Sequence, residues 1–354
     1  MSLTSSFWSG RRVFVTGHTG FKGSWLLVML QVLGARVTGY SLPPPTDPSM
    51  FDLLDLGQTC VHVIGDIRDL RSLERAIHDC QPEIVLHLAA QPLVRASYVD
   101  PLETYSSNVM GTANLLDACR RIAGLEAIVA ITTDKCYENV GLGQPFAETD
   151  RLGGFDPYSN SKACCELLIS AYRDSFFQAS GKGLASARAG NVIGGGDFAA
   201  DRLIPDAVRA FGSGQTLMIR NPLATRPWQH VLEPLVGYLC LAEKLAANPS
   251  FGEGWNFGPC FEDAQPVGQV VSQLVELWGS GASWQHDEAY HPHEAQSLQL
   301  NCAKAETRLN WKPRLNLTQA LEMSMEWYHV WHQSGDIAAL TKRQVNEFLC
   351  MQSI

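Results

Sequence analysis

No apolar run in this 354-residue sequence approaches the ~20 residues that a helix needs to cross a bilayer, so no membrane span is expected. Positive charge is also scarce. Lys and Arg number 27 against 36 Asp and Glu, for a net charge of −9. That balance argues against nucleic acid as a main partner, because a phosphate backbone demands a basic surface. It leaves phosphorylated small molecules open, since a few local Arg and Lys decide their binding. Ten cysteines occur, none in a C-x-x-C pair, and Cys164 and Cys165 are neighbours that point apart on a helix. A long chain without framework spacing reads as reduced, cytosolic thiols. Met1 to Ser9 has neither the basic start nor the apolar core of a secretory leader and reads as a loose tail. Internal repeats are lacking, and Pro43-Pro44-Pro45 is a stiff loop rather than a low-complexity tract.

What is present starts with Gly17-His18-Thr19-Gly20-Phe21-Lys22-Gly23, after the apolar run Val13-Phe14-Val15-Thr16. Glycine permits a tight turn and close approach to a pyrophosphate. The helix that follows offers free N–H groups and a positive dipole end. The spacing is G-x-x-G-x-x-G rather than the common G-x-G-x-x-G, so its context matters. That context is favourable. Strands are expected at Arg12–Thr16, Arg36–Tyr40, Val61–Ile64, Ile84–Leu88, Ala127–Thr132 and Leu184–Arg188. Helices are expected at Phe21–Leu33, Leu70–His78, Thr104–Ile122 and Ser159–Phe177. Repeated β–α–β units predict an α/β chain with a Rossmann-type, doubly wound parallel sheet. After Asn191 the rhythm breaks. Helices near Ile204–Phe211, Val267–Leu277 and Leu317–His332 around short strands such as Thr216–Ile219 read as a second, smaller α/β substrate lobe.

Two groups of residues suggest chemistry. Tyr158 and Lys162 are four apart in a helical segment and face one way. An ammonium beside a phenol lowers its pKa, and the pair can move a proton on a sugar hydroxyl. Thr133-Asp134-Lys135 follows a strand at the same end of the sheet and supplies a hydroxyl, an acid and a base. Each group alone could be surface decoration or a polar strand-end turn. Together, downstream of a glycine turn, they make an active site. Asp66 is either an adenine contact or a helix N-cap, a role for which Asp69 competes. Leu88-Ala89-Ala90 are small where a backbone must pass a dinucleotide, or pack a helix on a strand.

These motifs, with Gly65-Asp66-Ile67-Arg68-Asp69, Ala89-Ala90-Gln91-Pro92, Arg188-Ala189-Gly190-Asn191 and Arg226-Pro227-Trp228-Gln229-His230, make the chain resemble the extended short-chain dehydrogenase/reductase family over nearly its whole length. Within that family it is similar to the nucleotide-sugar 4,6-dehydratases, and closest to the branch acting on CDP-glucose. The resemblance implies NAD held by Gly17, Thr19, Gly20, Phe21, Lys22, Gly23, Asp66, Ile67, Leu88, Ala89 and Ala90, with help from Tyr158 and Lys162. It implies a substrate site with Asn191, Arg202 and Arg226, and catalysis by Thr133, Asp134, Lys135, Tyr158 and Lys162.

The resemblance further implies a dinucleotide domain at 1–188 plus about 230–258, a substrate lobe at about 189–229 plus 259–354, a cytoplasmic location, and a homodimer or dimer of dimers. Two departures stand out. Relatives acting on dTDP-sugars carry Glu where Lys135 stands. No acid follows the second strand before Asp47, so the choice of NAD rests on the resemblance rather than on this loop. A sugar 4-epimerase or a non-enzymatic dinucleotide sensor are the alternatives. No metal is expected: His291 and His293 beside Glu294 lack further ligands, and His329 and His332 read as packed histidines.

Overall fold

The computed structural model describes residues 3–141, 143–289 and 298–351. Strands β1 (Arg12–Thr16), β2 (Arg36–Ser41), β3 (Val61–Ile64), β4 (Ile84–His87), β5 (Ala127–Ile131) and β6 (Gly183–Ala189) alternate with helices. With the Gly254–Phe257 strand they form one sheet of seven, in the order Gly254–Phe257, β6, β5, β4, β1, β2, β3. Every neighbouring pair is parallel.

Helices lie on both faces, so successive side chains enter two apolar clusters. Val13, Val15, Leu86 and Val129 join one. Phe14, Val85, Ile128 and Leu184 join the other. A sheet covered on both sides needs apolar residues at consecutive positions, and β4, β5 and β6 are buried throughout. Cutting Ile128 or Leu184 back to alanine would cost about 2–5 kcal/mol. The strand order reverses between β1 and β4, which opens a crevice beyond their C-terminal ends. Gly17 and Leu88 begin the loops that flank it.

The smaller lobe holds a three-stranded sheet of Asn191–Ile193, Thr225–His230 and Ala264–Pro266, and a parallel pair of Leu217–Ile219 and Trp284–His286. Helices Leu203–Gly212, Val267–Trp278 and Leu317–His332 surround them.

Four elements depart from expectation. The Leu232–Ala247 helix and the Gly254–Phe257 strand escape periodicity because both are buried nearly all round. The Ile337–Cys350 helix packs against the Phe21–Val32 helix. The expected Thr104–Ile122 helix is broken into Pro101–Tyr105, a wide turn at Ser106–Met110, and Gly111–Arg120. There the Asn108 carbonyl accepts the Thr112 hydroxyl at 2.6 Å and the Cys165 thiol at 3.1 Å, so side chains compete for the helical acceptor.

Candidate active site

The glycine turn is shaped by contact with β4. Gly17 has φ +74°, and a Cβ there would lie 2.7 Å from the Ala89 nitrogen. A Cβ on Gly23 would lie 2.2 Å from the Gly17 carbonyl oxygen. Only glycine allows the turn, the first helix and β4 to converge so closely. The resulting cradle points the N-terminus of the Phe21–Val32 helix into the crevice. Its cap residue, Gly20, has no side chain to occupy those N–H groups. This is the arrangement that holds a dinucleotide pyrophosphate.

The crevice is part of one cavity of about 1170 Å³, and every site residue named from the sequence lines it. That space exceeds a drug-sized ligand's and suits two ligands end to end. Thr133, Asp134 and Lys135 follow β5 in a short turn, in which the Lys135 N–H donates to the Thr133 hydroxyl. Thr133 in turn donates to Asp134 Oδ1 at 3.0 Å. Asp134 is 2% exposed, and its Oδ2 has no hydrogen-bond partner among the described residues. This leaves a buried carboxylate oxygen facing the cavity, open to a ligand's hydrogen bond.

Tyr158 and Lys162 sit on the Pro157–Tyr172 helix, started by Pro157 and capped by Asp156, which accepts the Ser159 N–H at 2.9 Å. Burial pushes the Tyr158 phenol up, the Thr133 hydroxyl pulls it down, Asp134 pushes it up and Arg202 pulls it down. Lys162 donates to the Ile131 carbonyl at 3.2 Å, and burial lowers its pKa. Burial outweighs the rest and holds the phenol above its ordinary value, so the lowering expected from Lys162 is not found, and the main downward pull comes instead from the Thr133 hydroxyl. Lys22 rises from the glycine turn toward the same centre. Burial, then Arg202 and Lys162, lower its pKa to about 7, against the opposite pull of Asp134 and Asp197.

At the far end of the crevice the two roles offered for Asp66 separate. Asp69 caps the Leu70–Cys80 helix through the Arg71 and Ser72 N–H groups. Asp66 is gripped by the Arg68 guanidinium, which holds it below the usual carboxylate range. Beside it, the end of β2 carries hydroxyls instead of an acid. Thr19 Oγ1 lies 2.9 Å from Ser41 Oγ and donates to the Leu42 carbonyl. His18 Nδ1 lies 3.1 Å from Ser41 Oγ, and His18 Nε2 lies 2.7 Å from His62 Nδ1. Burial, with His62 adding to it, lowers the His18 pKa to about 4. A Cβ on Gly39 would overlap the His18 ring at 2.3 Å. Thr19 therefore braces the β2 loop.

On the opposite side, Arg202 pairs with Asp197 at 2.8 Å and Arg226 donates to the Thr225 carbonyl at 3.0 Å. Asn191 lies in the short strand facing them. His329 Nε2 donates to the Leu277 carbonyl at 3.2 Å, and the His329 and His332 rings both pack on Trp278. His291, His293 and Glu294 lie outside the described residues.

Other site-building residues escaped the sequence reading. Asn108 accepts the Gln91 N–H at 2.8 Å and donates to Ser161 at 2.9 Å, tying the Ala90 loop to the Tyr158 helix. Glu166, one turn past Lys162, accepts Thr132, Ser186 and Arg188, so one carboxylate joins β5, β6 and that helix. The only signal for either was a polar residue at a position that helical spacing turns inward.

A family model described as GDP-mannose 4,6 dehydratase matches residues 14–324. CDP-glucose 4,6-dehydratase of Salmonella typhimurium is 51% identical over 98% of this chain and 98% of its own length. Among solved structures, the UDP-glucuronic acid 4-epimerase of Bacillus cereus, in complex with UDP-glucuronic acid and NAD, superposes with a TM-score of 0.78 at 23% identity, covering 90% of this chain and 99% of that one. The dTDP-glucose 4,6-dehydratase of Bacillus anthracis, in complex with NAD, gives 0.74 at 23% identity, covering 90% and 96%. At such identities the structural likeness speaks to the fold.

Proposed function

This chain belongs to the GDP-mannose 4,6 dehydratase family, and from that premise we propose that it is an NAD-dependent CDP-glucose 4,6-dehydratase, a hydro-lyase. It converts CDP-glucose to CDP-4-keto-6-deoxyglucose and water, a step toward deoxysugars of surface polysaccharide. The observation that carries this reading is the Thr133-Asp134-Lys135 turn set against Tyr158 and Lys162 in one cavity, in a chain half identical to an enzyme of that name.

The glycine cradle, which a single Cβ would fill, fits NAD. When bound, NAD supplies the redox chemistry, accepting hydride from C4 and returning it to C6. The protein's own groups handle the protons. Tyr158 takes the proton of the C4 hydroxyl, oriented by Thr133 and assisted by Lys162. The 4-ketone so formed acidifies C5–H, since the carbanion becomes an enolate. Lys135, in its neutral amine form, removes that proton and returns one to C5 as C6 is reduced, standing where relatives acting on dTDP-sugars have Glu. Asp134 delivers a proton to the departing C6 hydroxyl. Arg202, Arg226 and Asn191 bind the nucleotide-sugar substrate.

The dinucleotide domain, in this reading, comprises 1–188 and about 230–258, and the substrate lobe the remainder. Exposed Leu102, Met110 and Leu167, on the two helical segments beside the site, support a homodimer. Ten unpaired thiols fit the reducing cytoplasm.

Incubation with CDP-, dTDP-, GDP- and UDP-glucose tests the assignment. CDP-glucose is expected to give a 4-keto product absorbing in alkali. CDP-galactose would identify a 4-epimerase instead, and dinucleotide binding without turnover a sensor. Tyr158→Phe removes one hydroxyl and should lower kcat by about 10²–10⁴-fold with folding retained. Near-normal turnover would remove Tyr158 from catalysis.

A further inference from the structure

Three residues with no role assigned from the sequence meet at the rim of the cavity. Arg95 follows the Ala90 loop on the dinucleotide side, and Arg220 ends the Leu217–Ile219 strand of the smaller lobe. Asp201 lies between them, on the loop that enters the Leu203–Gly212 helix. Arg95 Nη1 donates to Asp201 Oδ1 at 2.8 Å, and Arg220 Nη1 donates to the same oxygen at 3.1 Å. All three line the cavity that holds Tyr158 and Asp134.

The pairing is poor by the standards of arginine. A guanidinium matches a carboxylate or phosphate through two parallel N–H bonds. Asp201 Oδ1 takes one N–H bond from each of two guanidinium groups, and neither makes the two-point contact with this carboxylate. The side chains are 43%, 38% and 27% exposed for Arg95, Asp201 and Arg220, so water competes for every contact. Asp201 is also held at φ +61°, and it is the one non-glycine residue lining the cavity with a left-handed backbone. Strain of this kind gathers at functional sites. Its neighbour Asp197 shows the contrast. Asp197 is 5% exposed, its carbonyl accepts the Tyr328 hydroxyl at 2.6 Å, and its carboxylate holds Arg202. Asp197 is fixed, whereas Asp201 is weakly held.

We propose that Asp201 is an internal stand-in for the substrate's diphosphate: it keeps Arg95 and Arg220 aimed into the cavity until a nucleoside diphosphate displaces its carboxylate and takes both guanidinium groups. The diphosphate has enough oxygens to give each arginine a two-point contact, which one carboxylate oxygen does not. The two arginines come from opposite sides of the cleft, so the incoming anion also ties the lobes together. This rests on the nucleotide-sugar reading above but not on the identity of the base.

Calorimetric titration of the full-length protein with CDP, and with cytidine as the phosphate-free control, tests it. Asn tolerates left-handed backbone much as Asp does, so Asp201→Asn removes the charge without disturbing the loop. It should bind CDP several-fold more tightly, with cytidine unchanged. The double variant R95Q/R220Q should bind CDP at least tenfold more weakly, and adding D201N to it should change nothing further. CDP affinity that is unchanged or weaker in D201N overturns the proposal, as does equal tightening for cytidine. Should D201N fold poorly, Asp201→Gly relaxes the same backbone and reads the same result. Turnover of CDP-glucose by the wild type with no effect of D201N on CDP binding sinks the stand-in and leaves the dehydratase reading intact. Binding of another nucleoside diphosphate in place of CDP, with the same dependence on Asp201, sinks the CDP assignment and keeps the stand-in.

Discussion

Beneath the candidate site, Arg188 and Glu166 form an ion pair at 2.6 Å with side chains only 6% and 3% exposed. At its rim, Arg95 and Asp201 form one at 2.8 Å with side chains 43% and 38% exposed. The chemistry is the same and the setting is opposite. The buried carboxylate also accepts Thr132 and Ser186, and Arg188 reaches the Tyr137 hydroxyl, which donates to Asn256. Burial pushes Glu166 up, yet the Arg188 charge and these hydrogen bonds hold it below the usual carboxylate range. Breaking such a pair strands a charge in a low dielectric. The rim pair loses little when water or another anion replaces a partner. One region therefore fixes β5, β6 and the Tyr158 helix in register, and the other is free to exchange partners.

Removing the buried carboxylate gives the largest expected effect. Glu166→Gln leaves Arg188 without its counter-charge and should cost about 3–5 kcal/mol in urea unfolding. A loss below about 1 kcal/mol would break the contrast, since the floor would then behave like a surface pair.

A third carboxylate sharpens it, being buried with backbone N–H groups as its donors and the Arg314 charge only a lesser pull. Glu233 accepts the Arg314 and Leu315 N–H groups, both at 2.7 Å, while its Oε2 has no partner among the described residues. Burial pushes its pKa up from 4.5 to about 7, against those two hydrogen bonds. The folded state then binds a proton that the unfolded state has released. This stability is fully present below the unfolded pKa and is lost as pH rises through the folded one. The Glu233 contribution, read as wild type minus Glu233→Gln, should fall between about pH 4.5 and 7 by on the order of 3 kcal/mol, while buried His18, His87 and His230, with lowered pKa values, add a rise with pH that is common to both proteins. Glu233→Gln keeps an acceptor for both N–H groups and should abolish this fall alone. An unchanged slope in the variant would assign it to another group.

The smallest effect belongs to the rim. Asp201→Asn should change unfolding stability by less than about 1 kcal/mol, whatever it does to ligand affinity. A larger loss would show that the clasp supports the fold.

How much of this was legible follows from the same physics. β1, β3 and the glycine turn could be read because apolar runs and glycines there answer to backbone geometry alone. Thr133, Asp134, Tyr158 and Lys162 could be read as a set because their motifs are local. The Leu232–Ala247 helix gave no amphipathic signal, since its neighbours bury all its faces. Asn108, Glu166 and Asp201 act through partners 17 to 106 residues away, a separation that no short spacing encodes. The break at Ser106–Met110 was hidden because it depends on Thr112 and Cys165 claiming the Asn108 carbonyl, contacts that helical spacing does not reveal.

The central claim is that one cavity oxidises C4, expels water across C5 and C6, and reduces C6 without releasing the hydride. CDP-glucose deuterated at C4 tests it directly. The account predicts a 4-keto-6-deoxy product carrying the deuterium at C6, with none in an added pool of NADH. Deuterium in that pool, and a product that keeps its C6 hydroxyl, would mark an ordinary dehydrogenase and contradict the account.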